Sequence, residues 1–131
     1  MANILLVEDD KDLVNAYSMI LKNAKHEVRE SYDGKDALKT LDSFQPDIIL
    51  LDLLMPVMGG LEFLQNFKKL PNQEKTKILI FTNMENSPEV NEAYELGANR
   101  CIIKAWTAPQ NLTKVVDEVL ADHEVMQNRN K

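Results

Sequence analysis

Five residues in this chain have side chains suited to handling a phosphoryl group: Glu8, Asp9, Asp52, Thr82 and Lys104. Carboxylates gathered in one place repel one another unless a cation neutralises them. Hard oxygen ligands, without paired cysteines or a histidine cluster, favour Mg²⁺ or Mn²⁺, which keeps waters and accepts phosphate oxygens. Beside such an ion a carboxylate can attack phosphorus and form an acyl phosphate. A lysine can then pair with the added negative charge, and a threonine hydroxyl can donate to a phosphoryl oxygen. Taken singly, each residue also has an ordinary reading. Glu8 and Asp9 suit a helix cap, and Asp52 suits a turn before Pro56. Thr82 suits a β-branched strand position, and Lys104 a solvated surface. Asp10 reads simply as the N-cap of the first helix and is left out of the site.

What favours the chemical reading is where the elements put these residues. Short β-rich runs occur at Asn3–Val7, Glu27–Tyr32, Asp47–Leu51, Lys77–Thr82 and Arg100–Ile103. Helical spacing fills the intervals. Leu13, Ala16, Tyr17, Ile20 and Leu21 form one apolar stripe. Gly34–Ser43 carries Ala37, Leu38 and Leu41 inward, and a third helix covers about Leu61–Lys69, ending before Pro71. Ser87-Pro88-Glu89 opens a fourth, closed at Gly97. Thr107-Ala108-Pro109-Gln110 opens a fifth with a capping-box pattern. Ile4–Val7, Ile48–Leu51 and Ile78–Phe81 are continuously apolar, as strands buried on both faces of a parallel sheet must be. Strict alternation of strand and helix gives an α/β fold, a (βα)5 doubly wound three-layer sandwich. In such sheets the site lies outside the carboxyl ends of the strands. Four strand ends therefore deliver the acids, the hydroxyl and the ammonium to one edge.

The 131 residues suit one domain, with a core over about 3–125 and a polar tail, 126–131, expected to fray. Acidic residues outnumber basic ones by 21 to 15, for a formal charge of −6, which argues against direct nucleic-acid binding by this domain. The lone Cys101 excludes an internal disulfide and fits a reducing compartment. No run approaches the length of a membrane span, and no leader pattern precedes Asn3, so a cytoplasmic location is expected. His26 is expected at the surface, Cys101 as a small core residue, and the lysines at 68, 69, 75 and 77 along a solvated edge.

From Asn3 to about Val125 the chain resembles a response-regulator receiver domain. The resemblance rests on Ile4-Leu5-Leu6-Val7-Glu8-Asp9-Asp10, on Pro46-Asp47 through Asp52 to Met55-Pro56, and on Gly59-Gly60, Thr82, Gly97-Ala98 and Lys104. It implies a flavodoxin-like five-stranded parallel sheet of order 2-1-3-4-5. It also implies phosphorylation of Asp52 by a histidine kinase, a phosphotransfer protein or a small phosphodonor. Mg²⁺ would be held by Glu8, Asp9, Asp52 and the backbone carbonyl of Leu54, while Thr82 and Lys104 contact the phosphoryl group. The remodelled face of helix four, strand five and helix five would then address a downstream effector. The domain would not be an enzyme beyond catalysing its own phosphoryl transfer and slow dephosphorylation.

Three positions depart from the family pattern. Ala105 follows Lys104 where the family usually has a cis proline, so a trans bond and a differently shaped loop are expected. Cys101 stands where a tyrosine or phenylalanine usually reports the threonine movement; Trp106 either covers the output face instead or packs in the core. Asn83 replaces the usual small residue after Thr82. These departures leave the acceptor chemistry intact and point to a different output movement. Leu54 and Met84, two residues past Asp52 and Thr82, are apolar and cannot orient a water, so the acyl phosphate is expected to be long-lived. Among other functions, a haloacid-dehalogenase-type phosphohydrolase lacks its second aspartate at Leu54. A flavodoxin-like redox protein would need a phosphate cradle where Glu8-Asp9-Asp10 stand. A phosphorylation-independent interaction module of the same fold is the main alternative.

Overall fold

The computed structural model describes residues 1–83, 87–104 and 108–129, with side chains as far as Ala121. Five parallel strands, β1 (Asn3–Val7), β2 (Glu27–Ser31), β3 (Ile48–Leu51), β4 (Lys77–Thr82) and β5 (Arg100–Ile103), form one sheet of order β2-β1-β3-β4-β5. The helices are α1 (Lys11–Asn23), α2 (Gly34–Thr40), α3 (Gly60–Phe67), α4 (Pro88–Glu95) and α5 (Leu112–Arg129). The order expected from the sequence is therefore the one observed.

Side-chain alternation along the strands divides the interior into two cores. Ile4, Leu6, Ile48, Leu50, Leu79 and Phe81 pack with Val14, Tyr17 and Leu21 of α1 and Leu112, Val116 and Val119 of α5. Leu5, Val7, Ile49, Leu51, Ile78 and Ile80 pack with Ala37, Phe63, Leu64, Val90 and Ala93 from α2, α3 and α4. Covering both faces is what makes β1, β3 and β4 read as unbroken apolar runs. Parallel register sets Val7 beside Leu51 and Thr82 beside Ile103, so the strands end nearly level.

Local chemistry fixes the helix starts. Asp10 caps α1, its Oδ1 accepting from the N–H groups of Asp12 (3.0 Å) and Leu13 (3.3 Å). Ser87 caps α4 in the same way, followed by Pro88, and Gly97 closes that helix at φ 108°.

The structure corrects several expectations. The buried face of α1 is Val14, Tyr17, Ser18 and Leu21, while Ala16 is exposed and Leu13 and Ile20 are only half-buried. The stripe is rotated toward Ser18, whose hydroxyl donates to Glu30 of β2, a polar contact that apolar spacing does not reveal. α2 stops at Thr40, and a 3-10 turn, Pro109–Asn111, precedes α5. Thr107, the expected capping residue of that helix, lies outside the described residues. His26 is buried, its Nδ1 accepting from the N–H of Ala2 at 3.0 Å. Lys77 is half-buried, and burial pulls its ammonium below the usual lysine range.

Candidate functional site

Each strand of the central sheet ends in a residue of different chemistry. Beyond β1, Glu8 is 3% exposed, whereas Asp9 faces solvent. The Glu8 N–H donates to the Ser31 carbonyl at 3.0 Å, which continues the β1–β2 ladder past its last residue pair. Its Oε2 accepts from the N–H of Asp10 at 3.1 Å. Beyond β3, Asp52 is 7% exposed, and its N–H donates to the Val7 carbonyl at 3.1 Å. The two acid-bearing segments are thus tied together by backbone before any side chain interacts.

The loop after Asp52 is held from below by glycines. A Cβ on Gly60 would lie 2.6 Å from the Asp52 carbonyl oxygen and 2.8 Å from Leu53 Cα, so only glycine allows α3 to start this close. Gly34 plays a similar part across the loop. Its N–H donates to the Met58 carbonyl at 2.8 Å, where a Cβ would collide with the same oxygen. Between them Val57 is forced to φ 65°, unfavourable for a β-branched residue.

Lys104, beyond β5, reaches back across the sheet edge. Its Nζ donates to Asp52 Oδ2 at 3.1 Å and to Glu8 Oε1. Asp52 Oδ1 accepts from the Leu54 N–H at 3.4 Å. Glu8, Asp9 and Asp52 each offer a carboxylate oxygen, all within 4.8 Å of one another. An all-oxygen set of this size, with two members buried and one open to water, fits a small hard divalent cation that retains part of its hydration. Thr82 is fully buried at the end of β4, and Asn83 beside it is exposed. The structure therefore gathers Glu8, Asp9, Asp52 and Lys104 at one edge, with Thr82 ending the neighbouring strand.

Electrostatics follow from burial and proximity. Burial pushes the Glu8 carboxyl up; the Lys104 hydrogen bond and the Asp10 N–H oppose this, and the Asp52 charge adds to it. Burial alone would lower the Lys104 ammonium, but the Glu8 hydrogen bond and the charges of Asp52 and Glu8 outweigh it and hold the lysine protonated above its usual range. Cys101 is half-buried against the core shared with α4, and burial raises its thiol, so it stays uncharged at neutral pH. Ala105 and Trp106 lie outside the described residues, as does Met84.

Two residues of the site's surroundings escaped the sequence reading. Tyr17 of α1 and Phe81 of β4 meet edge to face, ring centroids 5.0 Å apart, and Lys104 Nζ lies over the Phe81 ring at 6.0 Å from its centroid. Burial raises the Tyr17 phenol, with the Lys104 charge opposing and the charges of Glu8, Asp10 and Asp52 reinforcing. The only sequence signal was an aromatic immediately before Thr82, which apolar patterning absorbs into the core.

A doubly wound sheet of order 2-1-3-4-5, with acids after β1 and β3 and a lysine after β5, defines the receiver class. The chain belongs to the response regulator receiver domain family, whose profile matches residues 4–117. It is 30% identical over 115 residues to response regulator ArlR of Staphylococcus aureus, covering 88% of this chain and 51% of ArlR. The chain thus spans about half the length of the curated relatives it matches. Among solved structures, it is similar to the chemotaxis response regulator CheY4 of Vibrio cholerae, at TM-score 0.82 and 33% identity, covering 91% of this chain and 98% of that one. A response regulator from Chloroflexus aurantiacus is similar at TM-score 0.82 and 28% identity, covering 92% and 98% of the two chains. The chain is accordingly a receiver domain of two-component signal transduction, a class whose members generally bind Mg²⁺ and work with histidine kinases and effectors. Among the described residues no helix is long and apolar enough to cross a membrane.

Proposed function

We propose that Asp52 is the phosphoacceptor of this receiver domain. The observation that carries the reading is the convergence on Asp52 of Glu8 and Lys104 from two other strands, with Asp52 itself 7% exposed. A carboxylate oxygen of Asp52 attacks phosphorus in a phosphohistidine or a small acyl phosphate. The bond from phosphorus to the donor breaks, the donor leaves with the bonding pair, and an aspartyl phosphate remains. Lys104 exchanges its contact with the Asp52 carboxylate for one with a phosphoryl oxygen, and Thr82 donates its hydroxyl to another. Glu8, Asp9, Asp52 and the Leu54 backbone carbonyl would hold Mg²⁺, which when bound offsets the charge of the incoming phosphoryl group.

The donors in this reading are a histidine kinase or phosphotransfer protein, and the product addresses an effector protein or domain. The domain makes no nucleic-acid contact of its own, in keeping with a charge of −6. It works in the cytoplasm, where the Cys101 thiol stays reduced, and residues 3–125 form its folded unit.

Incubation with acetyl phosphate and Mg²⁺, read by intact mass, tests the proposal. The wild-type chain gains one phosphoryl mass and Asp52→Asn gains none. Modification that persists in Asp52→Asn would remove the assignment.

A further inference from the structure

The ammonium of Lys104 has two carboxylate partners, yet neither fixes its direction of approach. Glu8 and Asp52 both lie on the side of the acid cluster, and a lysine side chain has enough rotatable bonds to reach them from many angles. On the remaining side the structure presents an aromatic ring. Phe81 Cα is paired with Ile102 of β5 and its ring faces the α1–α5 core, where Tyr17 meets it at an interplanar angle of 90°. Both residues are 4% exposed, so the ring pair is packed within the core. Lys104 Nζ lies 6.0 Å from the Phe81 centroid, at the outer range of cation–π attraction, and the lysine side chain is 10% exposed, so little water screens the contact.

We infer that Phe81, braced edge-on by Tyr17, is a positioning residue for Lys104: its ring face holds the ammonium at the acid cluster and keeps it there when one carboxylate contact gives way to a phosphoryl oxygen. This rests on the reading of Asp52 as phosphoacceptor. During transfer the Asp52 oxygen that Lys104 contacts, or its neighbour on the same carboxylate, becomes bonded to phosphorus and loses charge. Glu8, the other acceptor of this ammonium, is itself one of the acids proposed to hold Mg²⁺, so both carboxylate contacts are open to exchange, whereas the Phe81 ring neither takes the phosphoryl group nor ligates the cation. A leucine at 81 would fill a comparable part of the core and leave the ammonium free to swing. Phe81 is therefore expected to act on the rate of transfer and not on assembly of the cation site, since its ring offers no oxygen ligand to a hard cation.

Fluorinated phenylalanines placed at position 81 alone drain negative charge from the ring face while nearly preserving its shape. The rate of Asp52 phosphorylation at saturating acetyl phosphate is expected to fall stepwise from one to three fluorines, by about fivefold in all. Mg²⁺ affinity stays constant along the series. A purely structural ring would leave the rate unchanged, and a flat series overturns the inference. A second measurement is independent of phosphorylation: Lys104 side-chain protons should show ring-current displacement and cross-relaxation with the Phe81 ring, both lost in Phe81→Leu. Their absence in the wild-type protein also overturns the inference. Failure of the wild-type chain to take up a phosphoryl group would instead count against Asp52 as acceptor, and the resonance measurement would still decide where Lys104 sits.

Discussion

Removing the Lys104 charge while keeping most of its bulk should destabilise the cation-free domain by a predictable amount. In Lys104→Met the hydrophobic stem is replaced and the ammonium is lost. Asp52 and Glu8 then face each other, their side chains 9% and 4% exposed, with no cation between them. At an effective dielectric of about 20, unit charges 3.1 Å apart attract by about 5 kcal/mol. Two carboxylates within 4.8 Å repel by about 3 kcal/mol or more. Part of this is relieved by relaxation and water entry, and removing one partner of a buried pair typically costs about 3–5 kcal/mol. A net loss of about 3 kcal/mol is expected. It is large, but a domain of this size has about 5–15 kcal/mol in all, so the variant still folds.

Urea unfolding in chelator, with matched slopes, measures the loss. Two further arms identify its origin. Adding Asp52→Asn to Lys104→Met removes the uncompensated repulsion and should restore most of the lost stability, so the two substitutions are strongly non-additive. Mg²⁺ should stabilise Lys104→Met more than wild type, because the ammonium no longer competes for the same oxygens. At a hundredfold excess over its dissociation constant a ligand that binds only the folded state contributes about 2.7 kcal/mol. If Lys104→Met lies within about 1 kcal/mol of wild type, the electrostatic account of the site is wrong. Equal stabilisation of both proteins by Mg²⁺ would show that lysine and cation do not share ligands.

Other consequences are simpler to state. Val57 is 78% exposed at φ 65°, so Val57→Asn, which tolerates the left-handed region, should raise stability by about 1 kcal/mol in thermal unfolding. Burial lowers the His26 imidazole, the Asp117 carboxylate 3.9 Å away opposes this, and the N-terminal amine adds to it. The unfolded chain therefore takes up the proton first as pH falls. Stability contributed by neutral His26 is full above the ordinary histidine range and is lost as pH falls through the lowered value, where the Ala2 hydrogen bond also breaks. Urea midpoints should drop more steeply between pH 7 and 5 in wild type than in His26→Gln; parallel curves would contradict this. Leu54 is 63% exposed two residues past Asp52, so Leu54→Asn should shorten the lifetime of the phosphorylated domain by supplying a group that orients water, and an unchanged decay would remove that explanation.

The strand ends were legible in the sequence because a parallel sheet covered on both faces leaves strands no choice but continuous apolar residues. Where such a run stops, the next polar residue falls at the sheet edge. Glu8, Asp52 and Lys104 follow from that rule, and strand pairing in register brings them together. What the sequence hid depends on contacts across the fold. Ser18 is polar and yet faces inward, because its partner Glu30 lies on another element. His26 is buried for a similar reason: the main chain of Ala2, beside β1, satisfies its ring. Phe81 looks like any core aromatic until Lys104 arrives from β5 to lie over it. Gly60 looks like a turn residue, whereas its role is to let the α3 backbone approach the Asp52 carbonyl.

The output relay is where the family pattern and this chain part company, and burial at β4 sharpens the question. Thr82 is already fully buried, and its strand neighbour across β5 is Ile103, with Cys101 paired to Ile80 two residues earlier. A half-buried thiol has no ring to swing between two positions, and its small volume leaves the α4-side core little changed whichever way it turns. If Asp52 is the acceptor, a signal leaving the site is expected to run through backbone attached to Thr82 and Lys104. On saturation with trifluoroberyllate and Mg²⁺, amide resonances of the segments following these two residues should move most, and Cys101→Ala should leave that pattern intact. A Cys101→Ala variant that binds trifluoroberyllate with wild-type affinity but loses the remote changes would show that the thiol carries the relay after all. Its position on β5, three residues before a lysine that touches both buried acids, would then matter for more than packing.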